Sequence, residues 1–329
     1  MLILNEIDMK KTISYFNSSY VQVMDKVEDA YRVFQSGKFY MPHRPTITHG
    51  INTLLYMPCF MDTCFGTKCL TLFPENPARG HPFIDGLMLF NDCETGKTLA
   101  ILDARYLTAL RTGAVGGVGI RHFSRAECSS VGVIGAGQQG FYQAIYASSA
   151  RNIKDIYLFD TAAKNFDAYV NNLRQALSEP APKIHVCSTV EQLLEKSEIV
   201  ITATPATSPV LPDDPKLLSG KCFIAIGSYK PDMRELPNAI WKLVDHVYTE
   251  LSFAMEESGD LSQPLADGLL QKEQVKFIGE WILSGKRSLP KSGETTYFKS
   301  VGMGLLDLNV AQLIYQEAPK MEIWQKVDF

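Results

Sequence analysis

The sequence predicts an α/β protein, with a doubly wound parallel sheet in its second half and a separate region of mixed strands and helix ahead of it. Three observations carry this. Val131 to Ile134 is a short apolar strand that runs into Gly135-Ala136-Gly137-Gln138-Gln139-Gly140, then a helical stretch from Phe141 to Ala150, then a second strand from Ile156 to Phe159, closed by Asp160. Beyond Asp160, strands and helices keep alternating, the pattern of parallel strands joined by crossover helices. Between residues 40 and 103, short strands follow one another with only turn residues between them, which reads as an antiparallel or mixed sheet. At 329 residues the chain has length for two domains, placed at 1–124 with 301–329 and at 125–300.

The elements follow in order. Met24, Val27, Tyr31 and Phe34 recur at three- and four-residue intervals, so one face of a first helix is buried, and Gly37 stops it. Strands are expected at Asn52 to Met57, Gly66 to Phe73, Gly86 to Asn91 and Thr98 to Asp103, with a hairpin loop from Asp92 to Gly96. Tyr106 to His122 is a helix despite Gly113, Gly116, Gly117 and Gly119. Glycines at these positions cost roughly 3–4 kcal/mol against alanine. Close packing on another backbone or on a ligand must offset that, and helix–helix packing is the simpler source. Past Asp160, Lys183 to Cys187 is a strand, Val190 to Lys196 a helix, and Ile199 to Ala203, Cys222 to Ile226 and Leu243 to Tyr248 are strands. Residues 250–300 have a less regular pattern. Gly304 to Glu317 is a helix with Leu306, Val310, Leu313 and Ile314 on its apolar face, expected to leave the second domain and return to the first.

Each part of the 131–160 segment has a task in holding a dinucleotide. Gly135 permits the tight turn out of the strand, Gly137 lets backbone touch a pyrophosphate, and Gly140 lets the helix pack closely on the sheet. The helix N-terminus offers unpaired N–H groups and partial positive charge to phosphates. Asp160 stands 25 residues beyond Gly135, near the ~20 usual for the acid that binds a ribose diol. A glycine turn alone is any tight strand-to-helix turn; both flanking strands and the terminal acid make this one a nucleotide site. Ligands of doubly wound sheets sit beyond the strand carboxyl ends, which places Thr204-Pro205, Gly227-Ser228-Tyr229 and Glu250 near the crevice. Asp160 repels a 2′-phosphate and so favours NAD(H). Thr161-Ala162-Ala163 supplies no arginine clamp for that phosphate, while the nearby Lys164 keeps NADP(H) open.

A 46% hydrophobic and 21% charged composition describes an ordinary globular protein. The net charge of −4 gives no basic footprint for nucleic acid. No apolar run approaches the ~20 residues that cross a bilayer, and Met1 to Glu6 does not resemble a signal peptide, so a cytoplasmic location without membrane contact is expected. The seven cysteines are an odd number without a CxxC pair, which reads as reduced, buried thiols. Cys59, Cys64 and Cys69 are evenly spaced but alternate strand faces and have no histidine at ligand spacing, so no metal site is expected. Three cations fit poorly with solvated surface. Lys68 lies in the small and apolar run Gly66 to Phe73, Arg111 in Leu107 to Gly113, and Arg44 between His43 and Pro45. Each is either a ligand for a substrate anion or, respectively, an edge-strand lysine, an arginine on a structural carboxylate and a loop cation.

Several of these runs, taken together, are familiar. Gly66-Thr67-Lys68, the stretch GLMLFNDCETGKTLAILDA from Gly86 to Ala104, and Leu107-Thr108-Ala109-Leu110-Arg111-Thr112 resemble the ornithine cyclodeaminase/mu-crystallin family. So do the 135–140 turn, Ile226-Gly227-Ser228-Tyr229-Lys230-Pro231-Asp232-Met233-Arg234-Glu235-Leu236, and Phe298-Lys299-Ser300-Val301-Gly302-Met303-Gly304, in order along nearly the whole chain. The resemblance implies an α+β first domain for substrate binding and dimerisation in a homodimer, and a nicotinamide cofactor on a Rossmann-type second domain. It matches Arg44, Lys68 and Arg111 to the family's substrate-carboxylate ligands, with Lys68 and Arg111 placed at the chemistry. The expected cofactor-binding set is Thr112, Gly135, Ala136, Gly137, Gln138, Gln139, Gly140, Asp160, Thr204, Ser228 and Ser300.

One departure is decisive for the reaction. The family's ornithine cyclodeaminases and alanine dehydrogenases have an acid two places before the proline of a Gly-x-x-x-Pro segment, where this chain has Tyr229. Cyclodeamination needs a group that accepts and returns protons near neutrality; a carboxylate does so, while a tyrosine with a pKa of about 10 mainly donates. Asp232 follows the proline and is expected to point elsewhere. This version of the segment is similar to the ketimine-reductase branch, whose Δ1-pyrroline-2-carboxylate reductases only deliver hydride to a ready-made C=N bond and protonate the nitrogen. The sequence is therefore expected to encode an NAD(P)H-dependent reductase of a small cyclic imino acid, Δ1-pyrroline-2-carboxylate or Δ1-piperideine-2-carboxylate, forming proline or pipecolate. Lys68 is the expected proton relay, since a desolvated lysine beside arginines has a lowered pKa. The alternatives are an ornithine cyclodeaminase or open-chain amino-acid dehydrogenase, and a non-catalytic crystallin-like ligand-binding protein. Met57, Phe60, Phe73 and Phe83 are candidates for setting pocket size.

Overall fold

Apolar side chains alternating at period two build the first sheet. The computed structural model describes residues 1–15, 19–162, 166–285, 289–321 and 325–327. They form two units, residues 1–111 with 303–329 and residues 112–302. In the first unit the strands are β1 (Leu2–Leu4), β2 (Phe39–Tyr40), β3 (Thr46–His49), β4 (Asn52–Met61), β5 (Cys64–Leu72), β6 (Ile84–Asp92) and β7 (Thr98–Asp103). With Gln325–Lys326 at one edge they make an eight-stranded sheet, in the order 325–326, β1, β7, β6, β5, β4, β2, with β3 also on β4. Only β1 and β7 run parallel; the rest are antiparallel, so the sheet is mixed. The strands expected from the sequence are present, each within a few residues, and β1, β2 and β3 join them.

The helix Gly304–Glu317 lies on β4, β5 and β6, and the helices Glu6–Tyr15 and Ser19–Ser36 pack against it. The covered face holds Met57, Cys59, Cys64, Leu70, Met88 and Phe90, all buried. On the 19–36 helix Met24, Val27 and Tyr31 are fully buried, as their spacing requires, and Gly37 ends it in the left-handed region at φ +68°. The other face of the sheet is apolar and open: Leu87 is 51% exposed, Leu89 39% and Phe60 41%. Cys64 and Cys69 fall on opposite faces, and all seven cysteines are free thiols.

The helix Ala104–Phe123 runs through the division between the units, so residues 112–124 count with the second unit. There the strands are β8 (Ser130–Ile134), β9 (Asp155–Phe159), β10 (Lys183–Val186), β11 (Ile199–Thr202), β12 (Cys222–Ala225), β13 (Val247–Thr249), β14 (Val275–Phe277) and β15 (Thr296–Lys299). They form an all-parallel sheet in the order β10-β9-β8-β11-β12-β15-β13-β14. Strand order reverses between β8 and β11, the position where doubly wound folds open a ligand crevice. β11 and β12 are buried along their whole length, as strands covered on both faces must be. Two details differ from the sequence expectation. The strand expected from Leu243 begins only at Val247, because Asn238–Lys242 is a 3₁₀ turn that Leu243 closes. The irregular 250–300 stretch holds β14 and β15, and β15 inserts between β12 and β13. Among the described residues, no helix is long and apolar enough to cross a membrane.

Three of the four glycines of the 104–123 helix have a packing cause. A Cβ on Gly113 would overlap the Tyr146 ring, one on Gly116 would overlap the Gln143 side chain, and one on Gly119 would stand 2.5 Å from the Phe298 ring. Tyr146 and Gln143 belong to the helix Gln138–Ala150, so close helix–helix packing offsets the propensity loss. Gly119→Ala is expected to lower stability in urea unfolding by about 1–3 kcal/mol through overpacking, although helix propensity alone would raise it by ~1 kcal/mol.

Candidate functional site

In the first unit, register decides where Lys68 goes. It shares the inner face of β5 with Gly66 and Leu70 and is fully buried. Its Nζ donates to Asp307 Oδ1 at 2.7 Å and to Thr108 Oγ1 at 3.2 Å. Arg111 Nε donates to the same Asp307 oxygen at 3.0 Å. Thr108 and Arg111 are three apart on one side of the 104–123 helix. Asp307 projects from the 304–317 helix and is itself fully buried, and among the described residues its Oδ2 accepts no hydrogen bond. Burial brings the Lys68 ammonium down to about 7; Asp307 opposes this, while Arg111 and the half-buried Arg44 add to it.

Arg44, Lys68 and Arg111 are thus brought together. The ion pair with Asp307 fits the structural reading of Arg111, but two buried cations share that one carboxylate, and a second charge buried beside it is costly unless a further anion meets it. The sequence reading missed Asp307 and Thr108. A signal existed for the first: Gly304-Leu305-Leu306-Asp307-Leu308 sets an acid in an apolar run, the same anomaly that marked Lys68.

In the second unit the glycine turn leaves β8 at the switch point. Gly135 has φ +103°, a conformation that suits glycine, and its N–H donates to Phe159 O at 2.9 Å. Gly140 lies flush on the Gly135 carbonyl, with no room for a Cβ. Gly137 differs: a Cβ there would meet nothing within 4 Å, and no side chain caps the 138–150 helix that it starts. Gln138 is exposed and Gln139 half-buried beside it. Asp160 ties the turn to the end of β9, accepting Ala136 N–H at Oδ2 and Ala162 N–H at Oδ1, both at 2.7 Å. Ala163 and Lys164 lie outside the described residues. The Thr112 carbonyl accepts from Gln143 Nε2 at 2.8 Å.

The carboxyl ends of β11 and β12 are joined by a residue to which the sequence reading gave no role. Glu235 is fully buried; its Oε1 accepts Thr204 N–H at 2.7 Å and Thr204 Oγ1 at 2.9 Å, and its Oε2 accepts the N–H groups of Gly227 at 2.7 Å and Ser228 at 3.3 Å. Asp260 Oδ1 in turn accepts the N–H of Glu235 at 2.7 Å. Lys299 Nζ stands 3.1 Å from Asp260 Oδ2, off the line of a hydrogen bond. Burial raises the Glu235 pKa and the Lys299 charge opposes that. The expected cofactor residues Ser228 and Ser300 use their hydroxyls within the protein: Ser228 Oγ donates to Met233 O at 2.7 Å, and Ser300 Oγ donates to Glu250. What these serines shape is the turn. Tyr229 is half-buried, and Asp232 is exposed.

The sequence profile of the ornithine cyclodeaminase/mu-crystallin family matches residues 5–322. The chain belongs to that family. Within it, a Δ1-pyrroline-2-carboxylate reductase of Bacillus cereus is 32% identical over 284 residues, covering 84% of this chain and 85% of its own. An alanine dehydrogenase of Archaeoglobus fulgidus is 30% identical over 313 residues and 94% of each chain. The solved Δ1-pyrroline-2-carboxylate reductase of Thermococcus litoralis, in complex with NADH and L-proline, superposes with a TM-score of 0.91 at 28% identity, over 99% of this chain and 100% of its own. Both the mixed sheet and the parallel sheet are therefore the architecture of this family.

Lys68 couples the first unit's stability to pH. Its folded value near 7 lies below the ~10.4 of an unfolded lysine. Between these values the unfolded chain binds the extra proton, so stability rises with pH; below 7 both states are protonated and the cost of burial is felt in full. Relative to Lys68→Met, the wild type is expected to gain on the order of 3 kcal/mol between pH 7 and 9.5 in urea unfolding.

Proposed function

We propose that this protein is an NAD(P)H-dependent reductase of small cyclic imino acids, acting as a cytoplasmic homodimer, with Δ1-pyrroline-2-carboxylate the leading substrate and Δ1-piperideine-2-carboxylate the next. The observation that carries the reading is the buried pair Lys68 and Arg111 sharing one carboxylate oxygen, with the charge of Arg44 felt at Lys68. An imino-acid carboxylate is the anion that suits two buried cations sharing a single acid. The names of the B. cereus and T. litoralis relatives support the same substrate.

The second unit fits a dinucleotide on its own residues. Free space over Gly137, an uncapped helix N-terminus and Asp160 at the end of β9 meet the needs of a pyrophosphate and a ribose diol. Gly135, Ala136, Gly137, Gln138, Gln139 and Gly140 would hold the phosphates, while Thr112, Thr204, Ser228 and Ser300 would shape the rest of the pocket. Asp160 sets the preference for NAD(H) over NADP(H) through its charge. When bound, the reduced nicotinamide supplies the hydride that forms the new C–H bond at the imine carbon. The C=N π pair passes to nitrogen, which takes a proton from Lys68 Nζ, and the neutral lysine is recharged from water. A lysine near 7 is suited to this exchange at neutral pH. Arg44 and Arg111 grip the carboxylate and orient the ring, so their contribution is positioning and charge.

The homodimer is inferred from the open apolar face of the mixed sheet. Leu87 and Leu89 on β6 and Phe60 on β4, with β5 between them, lie on a face that a second copy would cover. A second reading, oxidation of an open-chain amino acid, is favoured by the A. fulgidus alanine dehydrogenase. Tyr229 stands against it, with no carboxylate at that place and Asp232 exposed.

The test follows NADH and NADPH absorbance with five- and six-membered cyclic imines, with L-alanine plus NAD⁺, and with L-ornithine plus NAD⁺. Rapid NADH oxidation by a cyclic imine is expected; turnover of L-alanine or L-ornithine alone would overturn the proposal. Arg111→Ala is expected to lower kcat/KM for the imine at least a hundredfold. Gly137→Val, whose Cβ meets no atom within 4 Å, is expected to keep the melting temperature within a few degrees and to abolish NADH fluorescence enhancement.

A further inference from the structure

We propose that Asp307 is the positioning residue for the proton donor: one of its carboxylate oxygens holds Lys68 and Arg111 side by side and keeps the lysine an ammonium ready to give its proton. This rests on the reading of Lys68 as the donor. The geometry is specific. Asp307 Oδ1 takes both cations, Lys68 Nζ at 2.7 Å and Arg111 Nε at 3.0 Å, on residues 239 and 196 positions away in sequence. Its Oδ2 is fully buried and accepts no hydrogen bond among the described residues, so the whole bonding role falls on Oδ1.

The groups around Lys68 Nζ leave Asp307 with that task. From the 104–123 helix come Thr108, a neutral acceptor, and Arg111, a cation. Arg44 adds a second positive charge from the segment before β3. Met57 on β4 and Met88 on β6 are the uncharged cross-strand neighbours, and Cys59 on β4, a thiol that burial and Asp307 push up to about 12, stays neutral. Among the described residues Asp307 is the one anion bonded to the lysine. With its charge gone, burial and two arginines act unopposed and discharge the ammonium. The proton that must reach the imine nitrogen as hydride reaches carbon would then be missing from Lys68 at neutral pH.

The experiment compares the wild type with Asp307→Asn, which keeps the size and one acceptor oxygen but removes the charge. Reduction of Δ1-pyrroline-2-carboxylate by NADH is followed as kcat/KM from pH 5.5 to 9. The falling alkaline limb is expected to move down by at least one pH unit in the variant, with rates converging on wild type at the acid end. A readout that needs no turnover is the ¹³Cε resonance of Lys68 in lysine-labelled protein, assigned by its loss in Lys68→Met; its midpoint is expected to fall by a similar amount. Asp307→Glu, which keeps the charge, is expected to hold both midpoints within half a unit of wild type. An Asp307→Asn limb and resonance that stay in place, with activity lost evenly at every pH, would overturn the proposal. So would an Asp307→Glu variant that shifts like Asp307→Asn. Should Lys68→Met retain the wild-type alkaline limb, the donor reading itself fails, and that outcome is distinct from the other two.

Discussion

A single carboxylate oxygen holds together two cations that burial would otherwise drive apart or discharge. Removing an ammonium from water costs several kcal/mol even after relaxation, and the first unit leaves Lys68 with no exposed surface. The mixed sheet, the 104–123 helix and the 304–317 helix each contribute to meeting that cost, with Lys68 from β5, Thr108 and Arg111 from one helix and Asp307 from the other. The packing of this unit is therefore arranged around charge as much as around apolar contact. The apolar side chains on the same inner face lower the polarity around the buried pair and make each of its electrostatic interactions stronger.

The second unit solves a related problem with the opposite sign. Glu235 is buried where two parallel strands end, a place where backbone N–H groups need acceptors because the ladder stops. Accepting from Thr204, Gly227 and Ser228, it fixes the two turns that border the crevice. Asp260 and Lys299 then hold its backbone and temper its charge. The crevice owes its shape to buried ionic groups, and the glycine turn only has to leave room.

Much of this was legible in the sequence, and the limits are physical. Period-two alternation and the spacing of Met24, Val27 and Tyr31 located elements because burial imposes those periods. The 131–160 device was readable because each glycine answers to a local constraint of sterics or approach. Lys68 and Arg111 stood out as charges in apolar runs. Their partner did not, because a pairing across 239 positions leaves no local mark beyond an equally misplaced acid at 307. Glu235 was hidden for a different reason: its neighbours Arg234 and Leu236 give it the look of any helix or turn acid. The position of β15 was also unreadable, since sequence order says nothing about which gap in a parallel sheet a late strand fills. The substitution of Tyr229 for an acid could be read directly, because it changes what the side chain can do with a proton.

The return of the chain to the first unit has a consequence for biosynthesis. Lys68 leaves the ribosome long before Asp307, so the amino-terminal sheet exists for most of translation with its inner lysine lacking a counter-ion and its covering helix unmade. In that interval the strands have an unshielded apolar surface and an ammonium that favours water. The nascent sheet lacks part of what stabilises it, whereas the second unit, residues 112–302, is contiguous and complete in sequence before the first. The final 304–317 segment then acts as a latch: its arrival delivers the anion and the apolar cover together, and a prematurely terminated chain would have neither.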